Sequence, residues 1–205
     1  MKIMKIKNNN STKHVKEYFK GIQNIAININ NEEINSLAKE LFLLRKKKGR
    51  LFFLGVGGSA GNSSHAVNDF RKLCNIESYT PTDNVSELTA RVNDDGWDSS
   101  FSNWLKISRL GKNDAIFIFS VGGGNLKKKV STNLVQAIKY AKKVKSNIFG
   151  IVGRDGGFTK KNGKSVIVIP NINPKLTTPF TEAYQAVIWH CLVSHPLLQK
   201  VKTKW

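Results

Sequence analysis

Two histidine–carboxylate pairs stand out among the side chains that could do chemistry. His65 and Asp69 lie four residues apart, and Glu182 and His190 lie eight apart. At helical spacing each pair points roughly one way. Two imidazoles and two carboxylates can serve general acid–base catalysis or hold a divalent metal. Spacing alone fits equally an ordinary surface pair and a core histidine. Position raises the first pair above that reading, because it follows the run LFFLGVGGSAGNSSHAVND at residues 51–69. There an apolar stretch opens into a Gly/Ser turn and then a helical pattern. Such a turn lets backbone N–H groups approach an anion, and the start of a helix adds partial positive charge. Residues 115–125, AIFIFSVGGGN, repeat the idea. Gly57, Gly58 and Ser59 in the first loop are therefore candidate phosphate ligands. Ser120, Gly122, Gly123, Gly124 and Asn125 in the second are their counterparts. Neither loop is a P-loop, since no Gly-Lys-Ser/Thr follows, and position 60 is Ala where a dinucleotide fingerprint needs Gly. A phosphosugar is favoured over a nucleotide.

The elements that must position these groups follow from periodicity. Helices are expected at Val15–Ile27, Glu32–Lys48, Ser63–Asn75, Ser86–Val92, Asp98–Leu110, Lys128–Lys143 and Thr178–Leu192. Thr178 is a candidate cap for the last helix, Pro179 suits its first turn, and Pro196 stops it. Apolar runs at Leu51–Val56, Ala115–Ser120, Ile148–Val152 and Ser165–Ile169 read as strands buried on both faces, with a short one at Ser78–Thr80. Alternating strands and helices imply a parallel sheet covered on both sides, with right-handed crossovers. Its carboxyl edge gathers both glycine loops, and Arg154 and Asp155 of the GRDGG segment. The turn Asn93-Asp94-Asp95-Gly96 reads as a turn former. Phe158, Phe180, Tyr184 and Trp189 read as core, and His14 and His195 have no functional context.

The chain has 205 residues, 40% of them hydrophobic, which suits a single domain: residues 31–205 with residues 1–30 as its helical lead. Cys74 and Cys191 cannot form a disulfide framework, so a reducing cytoplasmic setting and two buried structural thiols are expected. The basic N-terminus lacks the apolar core of a signal peptide, and no run approaches the ~20 apolar residues of a membrane span. The net charge of +19 invites a nucleic-acid reading. Its distribution counts against that as the main function. Lysine clusters fall in five separate places (45–50, 127–129, 142–145, 160–164 and 200–204), with no interleaved aromatic stripe and no recognition helix. The field still attracts anionic substrates.

Taken in order, these segments resemble the sugar-isomerase (SIS) superfamily, and within it the sedoheptulose 7-phosphate (phosphoheptose) isomerases, over residues 35–198. Members read G-N-G-G-S-A-x-x-x-x-H-x-x-x-E at the first loop. Here that is Gly55-Val56-Gly57-Gly58-Ser59-Ala60, then His65 and Asp69. SELTARVNDDGW is similar to S-x-L-T-A-x-x-N-D-x-G-[YF], and GRDGG matches outright. The last helix of the family carries Q-E-x-H-x-x-x-x-H, whose first and last positions are Glu182 and His190 here. The departures are Asp69 for Glu, Glu182 for Gln, Gln185 for the inner His, Val56 for Asn, and SVGGGN for the S-T-S-G-N-S phosphate loop, which loses two hydroxyl donors.

The resemblance implies a three-layer α/β fold, flavodoxin-like, with a five-stranded parallel sheet between helices. It implies a homotetramer with active sites between subunits, and aldose–ketose isomerisation through an enediol, feeding heptose into lipopolysaccharide, capsule or another glycan. By carry-over Asp69 and His190 are catalytic, Asp94 joins the substrate-binding set, and zinc is held by His65, Asp69, Glu182 and His190. Two alternatives remain: an isomerase of a different sugar phosphate, and a non-catalytic regulator or replication-initiator-binding relative on the same fold. The retained His65, His190 and carboxylates favour chemistry.

Overall fold

Alternation along each strand builds the core. The computed structural model describes residues 8–202. Five strands, β1 (Leu51–Leu54), β2 (Ser78–Tyr79), β3 (Ala115–Ser120), β4 (Asn147–Val152) and β5 (Ser165–Val168), form one all-parallel sheet in the order β2-β1-β3-β4-β5. Leu51, Phe53, Phe117 and Phe119 pack on one face with Ile25, Leu37, Leu41, Phe70, Ile188 and Trp189. Those partners lie on helices α1 (Asn8–Asn28), α2 (Asn31–Lys46), α3 (Gly58–Cys74) and α8 (Thr177–Val193). Phe52, Leu54, Ile116 and Ile118 face the other way, onto α5 (Ser100–Ile107) and α6 (Thr132–Lys143). Such period-two sorting is what a strand buried on both faces requires. The three-layer α/β arrangement expected from the sequence is the one observed. Its strand order places a topological switch point between β1 and β3, where open α/β sheets bind ligands.

Local chemistry sets the helix ends. Asn30 caps α2 by accepting from Glu32 and Glu33 N–H at 3.0 and 3.3 Å. Glu32 and Glu33 in its first turn and Arg45 and Lys46 in its last complement the helix dipole. Four expectations need correction. Asn93, Asp94 and Asp95 continue helix α4 (Val85–Asp95), and Gly96 (φ 82°) ends it; Arg91 pairs with Glu87 and Asp95 one turn either side, which supports the helix through its polar end. α6 starts at Thr132 rather than Lys128, because residues 125–130 close a tight turn through an Asn125–Val130 bridge. Thr178 does not cap α8: a 3-10 turn at Pro174–Leu176 runs straight into it. The sequence reading also missed α7 (Gly157–Asn162), one short turn tucked beside β4 and β5.

Cys74 is buried, but Cys191 is exposed, on the same outward stripe of α8 as Val187. Among the described residues no helix is long and apolar enough to cross a membrane.

Candidate functional site

α3 starts directly after β1 and carries three of the functional groups. Gly57 (φ 64°) is its N-cap, and no side chain caps its first-turn N–H groups. An anion suits such a helix start, and the Glu182 carboxylate lies over it at Gly58. Ser59 in that first turn is buried, and its Oγ has no hydrogen-bond partner. It lines a cleft of about 210 Å³ that also meets Ser120, Gly122 and Arg154. A buried hydroxyl without a partner is costly unless a ligand or water satisfies it.

The second loop is built differently. Ser120 Oγ accepts from Gly123 N–H at 3.0 Å, which fixes the hydroxyl in its own turn and leaves its O–H to donate. Gly123 has φ 66°, and a Cβ there would sit 1.9 Å from the Gly156 carbonyl oxygen. The Gly123 carbonyl accepts from Thr159 N–H and Oγ1 at 2.9 and 2.8 Å, and the Gly124 carbonyl from Phe158 N–H at 2.9 Å. Close approach to the Gly156–Gly157 turn thus explains these glycines in packing terms. Asn125 bridges to Val130 and accepts from Lys128 N–H at 2.9 Å. Gly124, Asn125, Lys128, Arg154 and Asp155 line a second, larger cleft of about 570 Å³, which shares Gly122, Val130 and Arg154 with the first.

Farther along α3, Asp69 is buried. Its Oδ2 accepts from Trp189 Nε1 at 3.1 Å, and Asn68 Nδ2 donates to Oδ1 at 3.1 Å. His65 Nε2 and His190 Nε2 each lie 3.5 Å from the same Oδ2. The side chains of His65 and His190 remain 55% and 43% exposed, so the group opens to the surface between α3 and α8. His65, Asp69 and His190 offer three ligand atoms within 4.8 Å of one another, a group that could hold a metal ion. The two Nε2–Oδ2 distances of 3.5 Å are close to the roughly 3.4 Å edge of a tetrahedron with ~2.1 Å bonds, so each imidazole is spaced from the carboxylate as two ligands of one ion would be.

Glu182 stands apart from this trio. Its carboxylate lies over Gly58, where a Cβ would meet Glu182 Oε2 at 2.5 Å. Eight residues at 1.5 Å separate it from His190 by about 12 Å along α8, and the start of α3 is a favourable place for a carboxylate. Asn62 Nδ2 braces this end of α8 by donating to the Glu182 carbonyl and to Gln185 Oε1 at 2.9 and 2.8 Å. Asp94 is exposed at the end of α4, where it accepts from Asn93 at 2.8 Å. Sequence reasoning treated Trp189 only as core and passed over Asn68 and Lys128. Adjacency to His190 and Asp69 was the signal available for the first two.

A parallel five-stranded sheet with a ligand cleft at its switch point and an imidazole–carboxylate group on the flanking helices is the architecture of a sugar-isomerase domain. No family model matches the chain. A phosphoheptose isomerase of Sulfurimonas denitrificans is 31% identical over 166 residues, covering 78% of both chains. Another, from Syntrophotalea carbinolica, is 24% identical over 193 residues, covering 88% of this chain and 90% of the relative. The lincomycin biosynthesis protein LmbN of Streptomyces lincolnensis is 28% identical over 158 residues, 72% of this chain, which spans only 56% of that relative. In structure, the phosphoheptose isomerase of Neisseria gonorrhoeae superposes with a TM-score of 0.76 at 21% identity, over 91% of this chain and 97% of the other. That of Francisella tularensis gives 0.77 at 19%, over 89% and 96%. This chain belongs to the phosphoheptose isomerase family.

Proposed function

We propose that this protein isomerises sedoheptulose 7-phosphate to D-glycero-D-manno-heptose 7-phosphate through an enediol, feeding heptose into a surface or other glycan. The observation that carries the reading is the buried Asp69 carboxylate, with two imidazoles 3.5 Å from one of its oxygens, on the helix that opens at the Ser59 cleft. Six residues of α3 separate Ser59 from His65, about 9 Å at 1.5 Å per residue. A ligand that touches both must be long, with its phosphate at one end and its reacting carbons at the other.

In this reading Asp69 takes a proton from C1 of the ketose and returns it to C2. His190 moves the hydroxyl proton from O1 to O2, which leaves the aldehyde at C1. Trp189 and Asn68 fix the carboxylate by donating one hydrogen bond to each oxygen. His65, Asp69 and His190 are the residues that would hold zinc; Glu182, the fourth ligand the resemblance implies, lies over Gly58 and outside this group. Zinc supplies a Lewis acid against charge that develops on the substrate oxygens. Asp94 belongs to the proposed substrate-binding set.

The half-exposed His65 and His190, beside the exposed Val187 and Cys191, support a homotetramer that closes the site across a subunit boundary. Two unpaired cysteines support a cytoplasmic setting.

Incubation with the ketose phosphate, followed by NMR at C1 and C2, tests the activity. Asp69→Asn should lose roughly 10²–10⁴-fold in kcat, the range for a missing general base. No turnover in the wild-type protein, on this substrate or any related ketose or aldose phosphate, rejects the isomerase reading. Full activity after chelation to a metal-free state rejects the role for zinc.

A further inference from the structure

The second glycine loop lacks two of the hydroxyls that its family counterpart offers, and its one serine, fixed as acceptor of Gly123 N–H, has a single O–H to donate. Something else must face the charge of a phosphate here. Two cations stand at the place. Arg154 follows β4 in the GRDGG turn and lies on the wall shared by the two clefts. Its Cδ is 4.0 Å from where a Gly122 Cβ would be, so its stem runs past the second glycine loop at van der Waals distance. Lys128 sits in the 125–130 turn, held by Asn125 Oδ1 on its backbone N–H and by the Asn125–Val130 bridge. It lines the larger cleft together with Arg154.

Neither side chain has an ion-pair or hydrogen-bond partner among the described residues. Other exposed cations do: Lys160 reaches Glu33, Lys164 reaches Glu40, and Arg91 reaches Glu87. Asp155 is the acid in the same cleft, and its Oδ1 already accepts from Gly157 N–H at 3.1 Å. The adjoining smaller cleft, which shares Arg154, adds the partnerless Ser59 Oγ in the first turn of α3.

We propose that Arg154 and Lys128 clamp the phosphoryl group of the substrate, Arg154 from the strand-β4 side and Lys128 from the 125–130 turn. Charge then replaces the hydroxyl donors that the loop has lost. This rests on the sugar-phosphate reading above. The clamp makes recognition depend on a full dianion: guanidinium and ammonium gain little from a neutral hydroxyl, whereas a hydroxyl-lined loop accepts one. The gain is shared by ground and transition states, so it belongs in KM rather than kcat.

The probe is inorganic phosphate, with its affinity for the full-length protein measured by calorimetry and as competitive inhibition of isomerisation. Arg154→Gln and Lys128→Gln should each weaken phosphate binding by about tenfold, the loss expected for one charge-assisted contact, and the pair by about a hundredfold. KM for the sugar phosphate should rise in parallel while kcat moves less than roughly threefold. Arg154→Lys should recover part of the loss. Lys127→Gln with Lys129→Gln removes the same charge from the same turn outside the cleft and should change neither constant. Unchanged affinity in the Arg154/Lys128 double variant overturns the clamp. So does an equal loss from the Lys127/Lys129 variant, which would assign the effect to the general field, or a wild-type protein that binds no phosphate. If phosphate affinity needs both cations but no sugar phosphate is turned over, the isomerase reading fails and the anion site stands. Unfolding curves check that each variant is folded, which its exposed, partnerless side chains predict.

Discussion

Asp69 shows how one buried carboxylate is kept in place for chemistry. An unpaired buried charge is expensive, and here the indole of Trp189 and the amide of Asn68 each donate at 3.1 Å to offset it. Trp189 itself stacks on Phe119 with ring centroids 5.7 Å apart, so the donor is held by the core beneath it. The two cysteines show opposite treatments of one residue type. Burial pushes the Cys74 thiol up to about 12, with desolvation the main cause; nearby Arg45 pulls the other way. Cys191 is exposed. A thiol reagent at pH 8 should therefore label one thiol per chain in the native state and two after unfolding; two labelled native thiols would contradict the packing. The same shift makes a statement about stability. Below pH 9, the ordinary value, both states keep the Cys74 proton and nothing is lost. As pH rises from 9 towards 12 the unfolded chain ionises first, so stability falls over that window. Cys74→Ala should flatten this part of the pH–stability curve.

At the scale of elements, the glycine loops act as joints between packed parts. Gly123 combines a left-handed backbone with a Cβ position 1.9 Å from the Gly156 carbonyl oxygen, which is backbone and cannot swing aside. Gly123→Ala should cost about 3 kcal/mol or more and lower Tm by roughly 6–12 °C; a Tm within about 1 °C of wild type would show that the two turns are not interlocked. These glycines also mark the limit of what the sequence discloses. SVGGGN reads as an anion cradle, yet the chain uses Gly123 and Gly124 to seat α7, a contact between segments some 30 residues apart. Strand periodicity was legible because each strand is buried on both faces and therefore uniformly apolar. α7 was not legible, since a six-residue turn beginning at Gly157 carries no apolar repeat. His65 and Asp69 could be paired from a four-residue spacing on one helix. The approach of His190 to them depends on how α8 crosses α3, and that crossing is set by core residues such as Ile188 and Phe70 rather than by any motif. Glu182 was grouped with them through its motif, but its resting place depends on the missing side chain of Gly58.

Across the whole molecule, topology sorts the charge of +19. In a parallel sheet every crossover helix runs back against its strand, so helix C-termini and strand starts share one edge. Lysine and arginine clusters at 45–50, 106–112, 142–145 and 160–164 each precede a strand: β1, β3, β4 and β5 in turn. The register of Leu51 with Ala115, of Ala115 with Asn147 and of Phe149 with Ser165 aligns those starts. Clusters dispersed in sequence thus converge at the edge opposite the clefts. The carboxylates that pair with these clusters are fewer than the cations: Asp114 is taken by Arg50 at 2.8 Å, Glu33 by Lys160 and Glu40 by Lys164. A six-residue strand spans about 20 Å, more than two Debye lengths at physiological salt, so the far edge contributes little field at the site. The cations that line the clefts and meet an anionic substrate are then Arg154 and Lys128. The same crowding weakens the folded state at low ionic strength, where repulsion within the edge is unscreened. Tm should therefore rise as NaCl goes from about 0.02 to about 0.3 M, over which the screening length falls from roughly 20 to 6 Å. Replacing exposed Lys46, Lys47 and Lys48 by Gln should raise Tm at low salt and make that rise shallower. Calorimetry at both salt concentrations decides it: a Tm independent of salt in the wild-type protein, or an equally steep rise in the triple variant, would mean that the converged charges lie too far apart or too well solvated to repel.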